Sequence, residues 1–223
     1  MLKSFKTKIF LVVFSSLILM NINSCKKDDP EHSPTPTPNP VVEPWDQTFS
    51  KTSDGYFRAT INGTEVKKRG SESYGWGGLL GTPSNITFSS FLENDNSDVI
   101  ATVYIGRINL PSGGWPYAND LKNYAKEGAY TFGIPETPAA STFNSEVQYT
   151  DATGTTWGTA FGTGAQSGAS FNITDTLHTT LGNGAFSVKF KATFNCTLYN
   201  FNNSQTMTLT NGTYVGYITE YDL

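Results

Sequence analysis

Residues 185–199, AFSVKFKATFNCTLY, constrain this chain more than any other stretch. Phe186, Val188, Phe190, Ala192, Phe194, Cys196 and Leu198 are apolar, and the odd positions from Ser187 to Thr197 between them are polar or charged. A period of two is a β-strand with one dry and one wet face. The same alternation runs over 171–181, and Gly182-Asn183-Gly184 between the two runs supplies the left-handed residues of a tight hairpin. A two-residue turn at Gly182-Asn183 or at Asn183-Gly184 changes the register. Either one puts Phe171, Ile173, Leu177 and Leu181 on the face of Phe186 to Leu198. The pair states a half-buried antiparallel sheet and carries no recognisable chemistry.

The rest of the 45–223 segment reads the same way. Charged residues are 15% of the chain, and glycine and aromatics are abundant, which favours strands joined by turns. Residues 56–61 alternate, Asn62-Gly63 is a hairpin signal, and a return strand starts at Glu65. Strands are predicted at 86–92, 99–108, 129–134, 146–150 and 155–159, with a polar turn at 93–98 and a hairpin turn at 151–154. The one helix the pattern allows is short, 117–126, stopped by Gly128. Near the end, 205–209 and 214–218 flank Asn211-Gly212, read as a hairpin or as one bulged strand. About ten short strands imply an all-β fold, an antiparallel two-sheet β-sandwich with a closed β-barrel as the alternative. A domain of this length buries roughly 70% of its unfolded surface.

The amino terminus has a different character. Lys3, Lys6 and Lys8 precede an apolar run over 9–20, followed by Ile22-Asn23-Ser24-Cys25. A basic segment and a short apolar core describe a secretory signal, and the core is too short to span a bilayer. Ile22 to Cys25 resembles a bacterial lipobox, with Asn23 where Ala or Ser is commoner. The resemblance implies cleavage after residue 24 and a Cys25 carrying diacylglycerol and an amide-linked chain such as palmitate. Two or three acyl chains, at about 0.8 kcal/mol per buried CH₂, hold a protein on a membrane. Lys26-Lys27-Asp28-Asp29-Pro30-Glu31 resembles the export tag of Bacteroidetes-type lipoproteins, which implies the outer membrane and its exterior face. Residues 25–44 then form a proline-rich tether, extended at about 3.1 Å per residue. The organisation is thus signal 1–24, lipidated tether 25–44 and a single domain 45–223.

Removing Lys3, Lys6 and Lys8 with the signal leaves 12 basic against 19 acidic residues, a formal charge of −7. No basic patch for nucleic acid is present. With Cys25 lipidated, Cys196 has no disulfide partner, and no zinc set can be built from it, His32 and His178. No cofactor is implied.

Phe57-Arg58-Ala59-Thr60-Ile61-Asn62-Gly63 resembles the F-x-A-x-I-N-G opening of small Bacteroidetes lipoproteins. Gly128-Ala129-Tyr130, Gly184-Ala185-Phe186 and the 208–214 segment, TLTNGTY, resemble that group's later strands. The resemblance implies fold and location and no activity.

Catalytic patterns are missing. No nucleophile elbow, HExxH, phosphate loop or EF-hand spacing occurs. His178 is a wet-face strand residue that cannot meet Asp175 three positions away without a bulge. Asp175 falls on the apolar parity, so it is paired, sits at a sheet end, or is turned out by a bulge. Asp175-Thr176-Leu177 also resembles a Bacteroidetes O-glycosylation acceptor. Glu127, Glu136, Glu146, Asp151 and Glu220 give no preferred pair for glycoside hydrolysis. Asp95, Asn96 and Asp98 lack the distal Glu of a calcium loop and read as a solvated turn. The remaining signal is aromatic. Trp76, Trp115 and Trp157 each stand among glycines near strand ends, where an indole can stack on a sugar or plug the end of a sandwich. The expected function is a lipid-anchored, non-catalytic binding domain, first for a glycan; the alternative is a structural or accessory protein-interaction subunit of an envelope complex, with a glycan hydrolase third.

Overall fold

The computed structural model describes residues 42–79, 84–110, 121–122, 125–133, 143–161, 165–180, 182, 184–203 and 205–219. The folded unit is Val41–Leu223. After a single 3₁₀ turn at Pro44–Asp46, whose Pro44 is buried, the described elements are strands. They are β1 (Tyr56–Ile61), β2 (Thr64–Arg69), β3 (Ser71–Leu79), β4 (Ser84–Glu93), β5 (Val99–Leu110) and β6 (Gly128–Phe132). Then come β7 (Phe143–Thr150), β8 (Thr156–Gly158), β9 (Ser170–Thr180), β10 (Phe186–Asn200) and β11 (Thr206–Thr219). Of the predicted helix, Leu121 and Lys122 are helical and the Ala125 amide donates to the Leu121 carbonyl at 3.2 Å.

The fold is all-β, and its strands form one hydrogen-bonded path, β2-β1-β11-β10-β9-β6-β7-β5-β4-β3. The first five face the last five: the Tyr214 hydroxyl in β11 bonds Ser90 Oγ in β4 at 2.9 Å, and Tyr149 in β7 stacks on Phe57 in β1 at 5.5 Å. The two layers of the expected sandwich are therefore one continuous sheet. They are joined where β6 pairs β9, and again by β8, which pairs both β10 and β7. One pairing, β6 with β7, is parallel.

A ladder of rings fills the interior from one layer to the other. Tyr149 stacks on Phe57, Phe57 lies 6.3 Å from Phe194, and Phe194 stacks on Phe171 at 5.8 Å. Tyr130 and Phe132 of β6 meet Phe171 edge-on. Each such contact adds about 0.5–1.5 kcal/mol beyond area burial. Gly212 is required beneath the ladder, because a Cβ there would strike the Phe194 ring and approach Leu209 Cδ2 to 2.8 Å.

Turn chemistry sets the register. Asn62 and Gly63 have φ of 47° and 83°, the two left-handed residues of a type I′ hairpin. Asn211-Gly212 is the alternative reading, a bulge: β11 runs unbroken, and its register with both β1 and β10 shifts there. Asn211 is left-handed at φ 52°, and its amide donates to Asn195 Oδ1 at 2.9 Å, so the extra residue is held without a turn.

The β9–β10 pairing corrects the expected register. Thr180 pairs Phe186, leaving five residues between the strands, and a second bulge separates Asp175, opposite Lys191, from Ile173, opposite Ala192. Phe171 and Ile173 keep the face of Phe194 and Ala192. Leu177 does not, since it lies opposite Lys189. The bulge turns the strand over at Asp175, which takes the carboxylate away from the apolar parity.

Candidate functional site

Trp157 is not available to an exposed tryptophan platform. Trp157 lies in β8, paired to Asn200 and Tyr149, and is only 6% exposed. Its indole N–H donates to Asp151 Oδ2 at 2.9 Å, while Asp151 Oδ1 accepts from the Thr153 and Thr155 amides and the Thr153 hydroxyl. Partial burial alone would raise the Asp151 carboxyl, but the bonds from Thr153 and Trp157 outweigh it and hold it below its ordinary value. Trp157 is thus an anchor for the β7–β8 hairpin and has no free face for a sugar. Trp76 pairs Phe88 in the register of β3 with β4, and Trp115 lies outside the described residues.

The other candidates are dispersed. His178 is exposed beside Phe186, with ring centroids 5.4 Å apart. Asp175 accepts from Thr174 Oγ1 at 2.8 Å. Glu146 is buried against Gln148 at 2.7 Å, and burial raises its carboxyl. Glu127 accepts from Thr176 at 3.5 Å; Glu136 and Glu220 lie outside the described residues. In the 94–98 turn, Asn94 Oδ1 takes the amides of Asn96 and Asp98, and its Nδ2 donates to Asp98. Among the described residues no group of three potential metal ligands occurs. Cys196 is buried, which pushes its thiol up to about 12.

What the structure does bring together is the corner between the two ends of the sheet path. Among the described residues, β2 and β3 each have a strand neighbour on one side only, and Gly70 alone separates them. A Cβ on Gly70 would collide with the Glu93 backbone, so the close turn between layers needs glycine. Beside it opens a cleft of about 640 Å³ whose lining includes Asp54, Gly55, Arg69, Glu72 and Asp95.

Glu72, in the lining of this cleft, also forms an ion pair. Lys189 Nζ donates to the Ser53 carbonyl and to Glu72 Oε2 at 3.2 Å, with the two side chains 5% and 19% exposed. Alternation had placed Lys189 on the wet face of β10. The segment before β1 and the start of β3 cover that face, and Ser187 beside it is buried too. Glu72 Oε1 is buried with no hydrogen-bond partner. Burial raises the Glu72 carboxyl and Asp54 adds to this, against the opposing pull of Lys189. The Tyr217 hydroxyl donates to the Glu72 carbonyl at 3.4 Å, so the first residues of β3 are pinned to β10 and β11.

Beyond this clamp the two edges diverge. β2 carries Glu65, Lys67, Lys68 and Arg69, with Glu65 bonded to Arg58 at 2.7 Å and to Lys67 at 3.0 Å. The hydrogen bonds from Lys67 and Arg58 hold the Glu65 carboxyl below its ordinary value. From Ser73 to Leu79, β3 reads SYGWGGL, with three glycines and no charge. An edge strand presents alternate N–H and C=O groups outward, and charge on the strand is what ordinarily prevents another chain from pairing with them.

No family model, curated protein or solved structure matches the chain. Among the described residues no helix is long and apolar enough to cross a membrane.

Proposed function

We propose that this chain is a lipid-anchored envelope lipoprotein whose folded unit is a non-catalytic contact domain, binding an envelope protein by strand addition to the edge of β3. The observation that carries the reading is the contrast between two adjacent edges, one charged along its length and one uncharged over seven residues. Strand addition draws affinity from the backbone and needs an edge left free of charge. The Lys189–Glu72 clamp supports it by fixing where β3 begins, so the edge is preorganised. Of the candidate hydrolase carboxylates, Asp151 is spent on its own hairpin and Glu146 is bonded to Gln148, which favours a non-catalytic reading.

The anchor is Cys25, and the basic-then-acidic segment after it favours the exterior face of the outer membrane. The 17 residue steps from Cys25 to Val42 give the domain a reach of about 50 Å at the extended-tether rise. Photo-crosslinking in intact cells tests the reading, with the reactive residue placed at Gly77 in β3 or at Lys67 in β2. A discrete adduct from Gly77 that disappears when Ser73 is also made Lys, with none from Lys67, is the expected result. Equal adducts from both positions, or none from Gly77, would remove the edge from consideration.

A further inference from the structure

The connection between β10 and β11 holds a ring that the β3 edge does not explain. Phe201 is 69% exposed, the most exposed large apolar side chain among the described residues. Its position is fixed by backbone: its amide donates to the Thr156 carbonyl at 3.3 Å, the Asn200 amide to the Gln205 carbonyl at 2.9 Å, and the Asn202 amide to Asn200 Oδ1 at 2.7 Å. The ring meets Phe161 edge-on at 5.0 Å and 73°. Phe161 in turn lies over Gly158, where a Cβ would come within 2.8 Å of its ring. Trp157, next to that glycine, anchors the strand by its bond to Asp151. The fold thus spends a buried tryptophan, a glycine and a second phenylalanine on holding Phe201 in the open.

The surroundings select the ligand. Asn202, Asn203 and Gln205, close to Phe201 in sequence, are exposed, with Asn203 Oδ1 accepting from the Gln205 amide at 2.8 Å, and the 200–205 segment, NFNNSQ, has no charge and no second apolar residue. An amide side chain both donates and accepts hydrogen bonds, as a hydroxyl group does. An apolar ring face bordered by amides matches a neutral sugar, which has an apolar C–H face and a rim of hydroxyls. An anionic headgroup calls for cations that this segment lacks, and an apolar protein surface calls for a patch larger than one ring.

We propose that the β10–β11 connection is a binding site for neutral polysaccharide, with a sugar ring stacked on Phe201 and its hydroxyls met by Asn202, Asn203 and Gln205. It uses none of the residues of β3, so the two readings stand or fall separately.

The test is affinity electrophoresis of the full-length protein in detergent, in native gels containing xyloglucan, galactomannan or dextran, with anionic alginate for contrast. Retardation by at least one neutral polymer is expected, weakened about tenfold by Phe201→Ala and retained by Phe201→Trp. Thermal unfolding confirms that both variants fold. Gly77→Lys leaves retardation unchanged. No retardation by any neutral polymer, retardation by alginate alone, or an unaltered Phe201→Ala would overturn the proposal. So would a Phe201→Ala variant whose measured loss is in binding to phosphatidylcholine vesicles, since the ring would then serve the membrane.

Discussion

β2 and β3 are consecutive in sequence, separated by Gly70, and both end the sheet path, yet they are finished differently. Exposed ion pairs among Arg58, Glu65 and Lys67 cover β2, and such pairs contribute little to stability. Their effect is to make the edge unattractive to another strand. β3 has its charge at one end only, where Glu72 is buried with Lys189, and leaves an uncharged, glycine-rich run beyond it. The difference separates two tasks that charge performs in a sheet: repelling neighbours when exposed, and fixing position when buried.

The largest effect is expected where that difference is structural. Lys189→Met leaves Glu72 buried without a cation and should cost about 3–5 kcal/mol in urea unfolding, whereas Glu72→Leu with Lys189→Met should cost far less. If Lys189→Met is no worse than Lys67→Met in β2, the two strands are held alike and the contrast fails. Gly70→Ala, which forces the corner away from the Glu93 backbone, should cost about 1–3 kcal/mol by the same measurement. The next changes move association rather than stability. Ser73→Lys, with the reactive residue kept at Gly77, should abolish the β3 adduct in crosslinked cells and shift Tm by only a few degrees. Replacing Glu65, Lys67 and Lys68 together by Thr should make β2 self-associate in sedimentation, at nearly unchanged Tm.

The smallest effect is a difference in sign. Glu72 has its carboxyl raised in the fold, so its contribution is fully present below the ordinary carboxyl value and is lost as pH rises through the raised one. Glu65 has its carboxyl lowered, so its contribution is present above the ordinary value and lost as pH falls through the lowered one. Carboxyl ¹³C titration should therefore place Glu72 above and Glu65 below an unstructured glutamate. The reverse order would show that burial does not dominate at the clamp.

Period-two alternation and turn residues made the strands legible: β1, β2 and β4 to β10 fall where the pattern placed them, within a few residues, while β3 was not named. Register was less legible, because a bulge inserts one residue without altering composition. Thr174-Asp175 turned Leu177 over, and Asn211-Gly212, read first as a hairpin, is a bulge within one strand that β1 and β10 flank. Burial of Lys189 depends on Ser53 and Glu72, which are more than a hundred residues away, and no local pattern contains that. Trp157 looked available because its glycine neighbour is visible in sequence and its Asp151 bond is not. Phe201 did leave a trace, an aromatic residue alone in a run of amides, overlooked beside the tryptophans.

Amide hydrogen exchange tests the central claim most directly, comparing full-length protein in its native envelope with the same protein purified in detergent. Strand addition hydrogen-bonds the backbone itself, so the outward-facing amides of Ser73 to Leu79 should be protected in the envelope and exchange quickly after purification. Those of β2 should behave alike in both. Equal exchange of the β3 amides in the two preparations, or protection appearing in β2 instead, would contradict the account.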